Sequence, residues 1–86
     1  MREICRFYGI IIKMEYEDNN PPCFHARYSG HKAAIRIKDL VVTGGELPPK
    51  ALWLVMEWAA LHQDQLLTAW DNAKDNKELS KIEPLI

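Results

Sequence analysis

The chain has 86 residues, 48% of them hydrophobic and 27% charged, with a formal net charge of −1. That length suits one domain, 1–86, and leaves no room for two, while the composition is that of a folded globular protein rather than a disordered one. Near-neutral charge excludes a protein that grips nucleic acid by bulk charge alone, and the most apolar stretch, Ala51 to Leu61, is too short to span a bilayer and contains Glu57, so no membrane partner is expected.

The segment from Ile4 to Tyr16 is rich in aromatic and β-branched residues. Its even positions (Tyr8, Ile10, Ile12, Met14, Tyr16) stay apolar while Lys13 and Glu15 interrupt the odd ones. A period of two predicts a single strand with one buried face. Glu17 to Pro22 stops it, because turn residues cluster there and tandem prolines lack amide donors. Cys23 to Tyr28 resumes the alternation, with Phe24, Ala26 and Tyr28 on one face and Cys23, His25 and Arg27 on the other. Ser29-Gly30 then leads into Lys32 to Leu40, where Ala33, Ile35 and Ile37 alternate with Lys32, Arg36 and Lys38. Two such runs joined by a Ser-Gly pair predict a β-hairpin. Residues 39–43 predict a short fourth strand, ended by Gly44-Gly45.

The period changes after Pro48-Pro49, a pair suited to a helix start. Ala51, Leu54/Val55, Trp58, Leu61/His62, Leu66, Trp70 and Ala73 recur every three to four residues, predicting an amphipathic helix to about Lys74 with a kink allowed near Gln63-Asp64. Unbroken, it would be about 39 Å long, more than a short sheet covers. Asn76 suits a left-handed helix exit, and the apolar tail 78–86 either packs back or docks elsewhere. The predicted fold class is α+β: a three- or four-stranded antiparallel meander against one long, kinkable C-terminal helix, with a short tail.

Three surfaces are candidate sites. Residues 1–45 carry seven basic against five acidic residues, and residues 46–86 four against seven, a balance of +2 against −3. Lys13, Arg27, His31, Lys32, Arg36 and Lys38 are therefore candidates for binding nucleic acid or another anion, although a solvated sheet face is the commoner origin of such a pattern. Within that set, His25 as general acid or base and Arg27 as stabiliser of a phosphorane would suffice for a small metal-independent ribonuclease. Trp53 lies off the apolar stripe, and with Glu57 and Leu85 it is a candidate protein interface. The long helix carries Glu57, Asp64 and Asp71, which disfavours insertion into a major groove.

Cys23 and His25 would share a face, but zinc wants three or four ligands and no second half-motif is present, so no metal and no cofactor is expected. No secretory signal pattern accompanies Cys5 and Cys23, the only cysteines; a cytoplasmic protein with reduced thiols is expected.

The blocks Ile4-Cys5-Arg6-Phe7-Tyr8-Gly9-Ile10-Ile11-Ile12 and Asn20-Pro21-Pro22-Cys23-Phe24-His25-Ala26-Arg27-Tyr28 are family-like in order and spacing. So are Leu47-Pro48-Pro49, Glu57-Trp58-Ala59 and Lys81-Ile82-Glu83-Pro84-Leu85. Together they resemble the bacterial family catalogued as domain of unknown function 4160. The resemblance implies a small cytosolic bacterial protein, often encoded beside another small protein and sometimes labelled a toxin–antitoxin component. It carries no activity with it. Where that family's motif commonly reads His-Phe-His, this chain has Cys23-Phe24-His25, so a role needing both histidines is not carried over. The function expected is an interaction module of a two-protein toxin–antitoxin-type system, binding a small partner encoded nearby or a second copy of itself. The ribonuclease and nucleic-acid-binding readings stand as alternatives.

Overall fold

Alternation of apolar and polar residues builds one antiparallel sheet in the computed structural model, which describes residues 2–85. Its strands are β1 (Arg2–Phe7), β2 (Ile10–Met14), β3 (Cys23–Tyr28), β4 (His31–Arg36) and β5 (Val41–Glu46), and they lie side by side in chain order. Two helices follow, α1 (Pro49–Leu61) and α2 (Gln63–Lys74). The α+β class is as the sequence predicts; the number of strands and helices is not.

The first correction is at Tyr8-Gly9. The run predicted as one strand is a hairpin, with Phe7 opposite Ile10 and only these two residues between them. Both have positive φ, 49° and 78°. This is the demand of the tight turn that matches the twist of the flanking strands. Ser29-Gly30 repeats it, with φ of 46° and 83° between Tyr28 and His31. The second correction concerns Gly44-Gly45. They do not end β5 but lie inside it, opposite Ala34 and Ala33, where the pairing register shifts between Ala34 and Ile35. Gly45 has φ +69°, and a Cβ there would collide with the carbonyl oxygen of Lys32. Only glycine fits that position, two residues beyond Thr43, the extra residue of the bulge.

The third correction is the helix. His62 has φ −130° and ψ 24°, and its N–H bonds to the Ala59 carbonyl at 3.0 Å, which closes α1. The His62 carbonyl then accepts from Leu66 N–H at 2.9 Å and opens α2. A straight helix of about 39 Å would overrun a chain whose largest dimension is 33 Å. Two shorter helices stay within it. Gln63 holds the break against the sheet by donating from Nε2 to the Ile37 carbonyl at 2.9 Å. Asn76, at φ 57°, ends α2 in the left-handed conformation expected of it, and the Lys77 N–H returns to the Asn72 carbonyl at 2.7 Å.

One face of the sheet carries the core. Ile10, Ile12, Met14, Phe24, Ala26, Ala33, Ile35 and Ile37 are buried there with Val55, Trp58, Leu66 and Trp70 of the helices. Trp58 is fully buried, with its ring centroid 5.6 Å from that of Phe7 and 5.9 Å from that of Phe24. Its indole N–H donates to the Glu83 carbonyl at 2.7 Å. The tail therefore packs back. Ile82 is buried, and its N–H bonds to the Ile4 carbonyl at 2.9 Å on the edge strand β1.

Candidate functional site

Strand pairing sets the open face of the sheet, opposite the helices. Lys13 stands opposite His25, and His25 opposite Ala34, which in turn faces Gly44. One step along, Ile11 faces Arg27, Arg27 faces Lys32, and Lys32 faces Glu46. Lys13, His25, Arg27 and Lys32 with Ala34 and Gly44 border a depression of about 300 Å³. The glycines leave its β5 side bare. Among the described residues no ion pair within 4.0 Å neutralises Lys13, Arg27 or Lys32.

The remaining cations of the predicted anion-binding set are placed otherwise. Arg36 shares the open face but donates to both carboxylate oxygens of Asp39, at 2.8 and 2.7 Å. That contact holds the Asp39 carboxyl below its ordinary pKa and raises Arg36. Lys38 is exposed beyond the end of β4, and exposed His31 begins β4 opposite Tyr28. Neither borders the depression. Arg6, near the β1 edge, is held by Glu3 at 2.7 and 3.2 Å, which lowers the Glu3 pKa.

His25 is half-buried, and its Nδ1 is shielded from solvent with no hydrogen-bond partner. Chemistry at this side chain therefore runs through Nε2. The depression brings His25 and Arg27 together, as a ribonuclease would require, but no second imidazole and no carboxylate lines it. In-line cleavage passes protons at both the attacking and the leaving oxygen, so a lysine or water would have to serve at the other position. Cys23 is half-buried and Cys5 buried, and burial pushes both thiols up, so they stay protonated and weakly nucleophilic near neutral pH. Among the described residues, no group of three or more His, Cys, Asp or Glu side chains is placed to hold a metal ion.

A second, larger cleft of about 590 Å³ opens where the two hairpin ends meet the start of α1. Tyr8 and Tyr28 stand on the sheet side, Leu54 and Glu57 on α1, and Leu85 of the tail closes it. Tyr28 lies beside Gly9, where a Cβ would stand 3.5 Å from the Tyr28 ring, an ordinary van der Waals contact. Glu57 and Leu85 of the predicted interface are thus in the cleft wall. Trp53 is not, but it projects from the same helix one turn before Glu57 and is 66% exposed. Tyr8 and Leu54 escaped the sequence reading. The missed signal was Tyr8-Gly9, since a turn there carries Tyr8 to the same end of the sheet as Tyr28.

These features define a class: a small α+β domain, a five-stranded meander backed by two helices, with an apolar cleft at one end and a cationic depression on the bare face of the sheet. The chain belongs to the family described as Domain of unknown function (DUF4160), whose family model matches residues 9–71. No curated protein and no solved structure matches it. Among the described residues no helix is long and apolar enough to cross a membrane.

Proposed function

We propose that this protein is an interaction module, one component of a two-protein system of toxin–antitoxin type that acts by binding its partner through the cleft beside α1. The observation that carries this reading is the juxtaposition of that cleft with solvent-facing aromatics. Tyr8 is 59% exposed at its rim and Trp53 66% exposed beside it. Tyrosine and tryptophan anchor interfaces because they bury large area at small entropic cost. Lys50 and Glu57 border the cleft with opposite charges, so the fitting partner segment presents an apolar side chain flanked by polar groups of both signs. The proposed partner is a small protein encoded nearby, as the family resemblance leads one to expect, or a second copy of this chain.

Co-expression of the two proteins, followed by size-exclusion chromatography with light scattering, tests the reading. A stoichiometric complex is expected, weakened about tenfold or more by Trp53→Ala combined with Leu54→Ala. A clean monomer that co-elutes with nothing removes it.

A further inference from the structure

We propose that the open face of the sheet holds a binding site for one phosphoryl group, carried on a small phosphomonoester such as a mononucleotide. Lys13, Arg27 and Lys32 are its cations and Nε2 of His25 its additional hydrogen-bonding group. The site is separate from the cleft beside α1 and does not depend on the function proposed for it.

Register is the first argument. Arg27 and Lys32 are direct cross-strand partners, and Lys13 and His25 are partners one row away. Side chains so paired stand about 5 Å apart, with diagonal neighbours about 7–8 Å apart; Lys13 and Lys32 lie two strands and one row apart, about 12 Å, and it is their long side chains that border the same depression as His25 and Arg27. Like charges directly opposite each other destabilise a sheet, and here the chain places two together with no ion pair within 4.0 Å to either among the described residues. Glu46 lies on the far side of Lys32 without an ion pair to it within 4.0 Å, and Glu3, opposite Lys13, is engaged by Arg6 at 2.7 Å and Lys81 at 3.9 Å. An oxyanion between Lys13, Arg27 and Lys32 relieves that repulsion and takes charge-assisted hydrogen bonds from each.

Room is the second argument. Gly44 and Gly45 put no side chain over the β5 side of the depression, whose volume is about 300 Å³, enough for a small organic phosphate.

The size of the ligand follows from which cations are free. A polymer-binding surface needs a positive track along the backbone and aromatic faces for bases. Here two of the outlying cations are neutralised within the chain, Arg6 by Glu3 and Arg36 by Asp39. Lys38 lies beyond the end of β4, and only Lys13, Arg27 and Lys32 cluster at one spot. No Phe, Tyr or Trp occupies the positions of β2, β3 and β4 that face that side, where His25 is the one ring. One phosphoryl group suits such a surface; a strand of RNA does not.

The test titrates the full chain with inorganic phosphate, with adenosine monophosphate and with a short single-stranded RNA, followed by amide and imidazole NMR shifts. Saturable shifts centred on Lys13, His25, Arg27, Lys32 and Gly44 are expected with the first two, at a Kd of about 1 mM or below. Arg27→Gln with Lys32→Gln should weaken binding about tenfold or more. Gly44→Val should do the same while leaving every charge in place, because a Cβ there meets nothing within 4 Å and the added bulk fills the depression. Unchanged spectra elsewhere show that the variants are folded. Absence of saturation with both phosphates overturns the proposal. So does full binding by Gly44→Val, which would mark diffuse counter-ion association. RNA that binds more than about tenfold tighter per phosphate and is not displaced by the monophosphate would also overturn it, in favour of a nucleic-acid surface.

Discussion

The two faces of this sheet are built from the same strands, and adjacent residues divide between them. Ile12, Phe24, Ala26, Ala33 and Ile35 look toward the helices and are buried. Their chain neighbours Lys13, His25, Arg27, Lys32 and Ala34 form the open face. The first set is held by burial, at about 25 cal/mol for each Å² of apolar surface removed from water. The second set is held mostly by the first, since the exposed cations contribute little to stability. A two-residue period thus separates what keeps the chain folded from what it offers to a ligand, and substitutions on the two sides should differ in kind.

The largest effect belongs to the covered face. Trp58→Ala removes a fully buried indole and its bond to the tail, and should cost about 3–5 kcal/mol in denaturant unfolding, a large share of the stability of a domain this size. A cost below about 1 kcal/mol would show that the helices do not seal that face. Next is the glycine pair. Gly45→Ala meets the Lys32 carbonyl at a left-handed φ and should cost about 1–3 kcal/mol, whereas Gly44→Ala has open space and should stay within about 0.5 kcal/mol of the parent. Equal costs would contradict the close approach of Gly45 to the Lys32 carbonyl. On the open face, Arg27→Gln and Lys32→Gln should each leave stability within about 0.5 kcal/mol, or raise it by easing repulsion.

The smallest effect is on acid stability. Glu3 and Asp39 have lowered pKa values in the fold, from 4.5 and 3.8, chiefly through hydrogen bonds from Arg6 and Arg36. A carboxyl whose folded pKa is depressed stabilises the fold above its unfolded pKa, and that contribution is lost as pH falls through the folded value. Arg36→Gln should remove that small contribution at neutral pH and leave stability at the lowest pH nearly unchanged, so that the acid limb of an unfolding titration below about pH 4 flattens. An unaltered acid limb would mean that the Arg36–Asp39 contact is not maintained in solution.

Legibility in the sequence followed the strength of local signals. Cys23 to Ile37 reads correctly because its alternation is uninterrupted and Ser29-Gly30 is a recognisable turn pair. Tyr8-Gly9 is the same turn with the same backbone angles, yet the tyrosine extends an apolar alternation and conceals it. Gly44-Gly45 reads as a stop signal because glycine weakens strands; only the partner strand β4 explains its place in β5. The break at His62 is legible only as the kink allowed near Gln63-Asp64, because apolar periodicity continues through it, and the limit on helix length comes from the size of the sheet. The site divides in the same way. Alternation alone puts Lys13, His25, Arg27 and Lys32 on one side of their strands. It does not tell which cations are neutralised, although Arg36 and Asp39 are three residues apart, nor that the tail returns Leu85 to a cleft shared with Tyr8 and Tyr28.

The partner-binding proposal is tested most directly by adding the proposed partner, a small protein encoded nearby, and mapping amide shifts and broadening on this chain. Perturbation centred on Tyr8, Tyr28, Trp53, Leu54, Glu57 and Leu85, with Lys13, Arg27 and Lys32 unaffected, is the predicted result. A footprint on the open face with those six residues silent, or no footprint, would contradict the account.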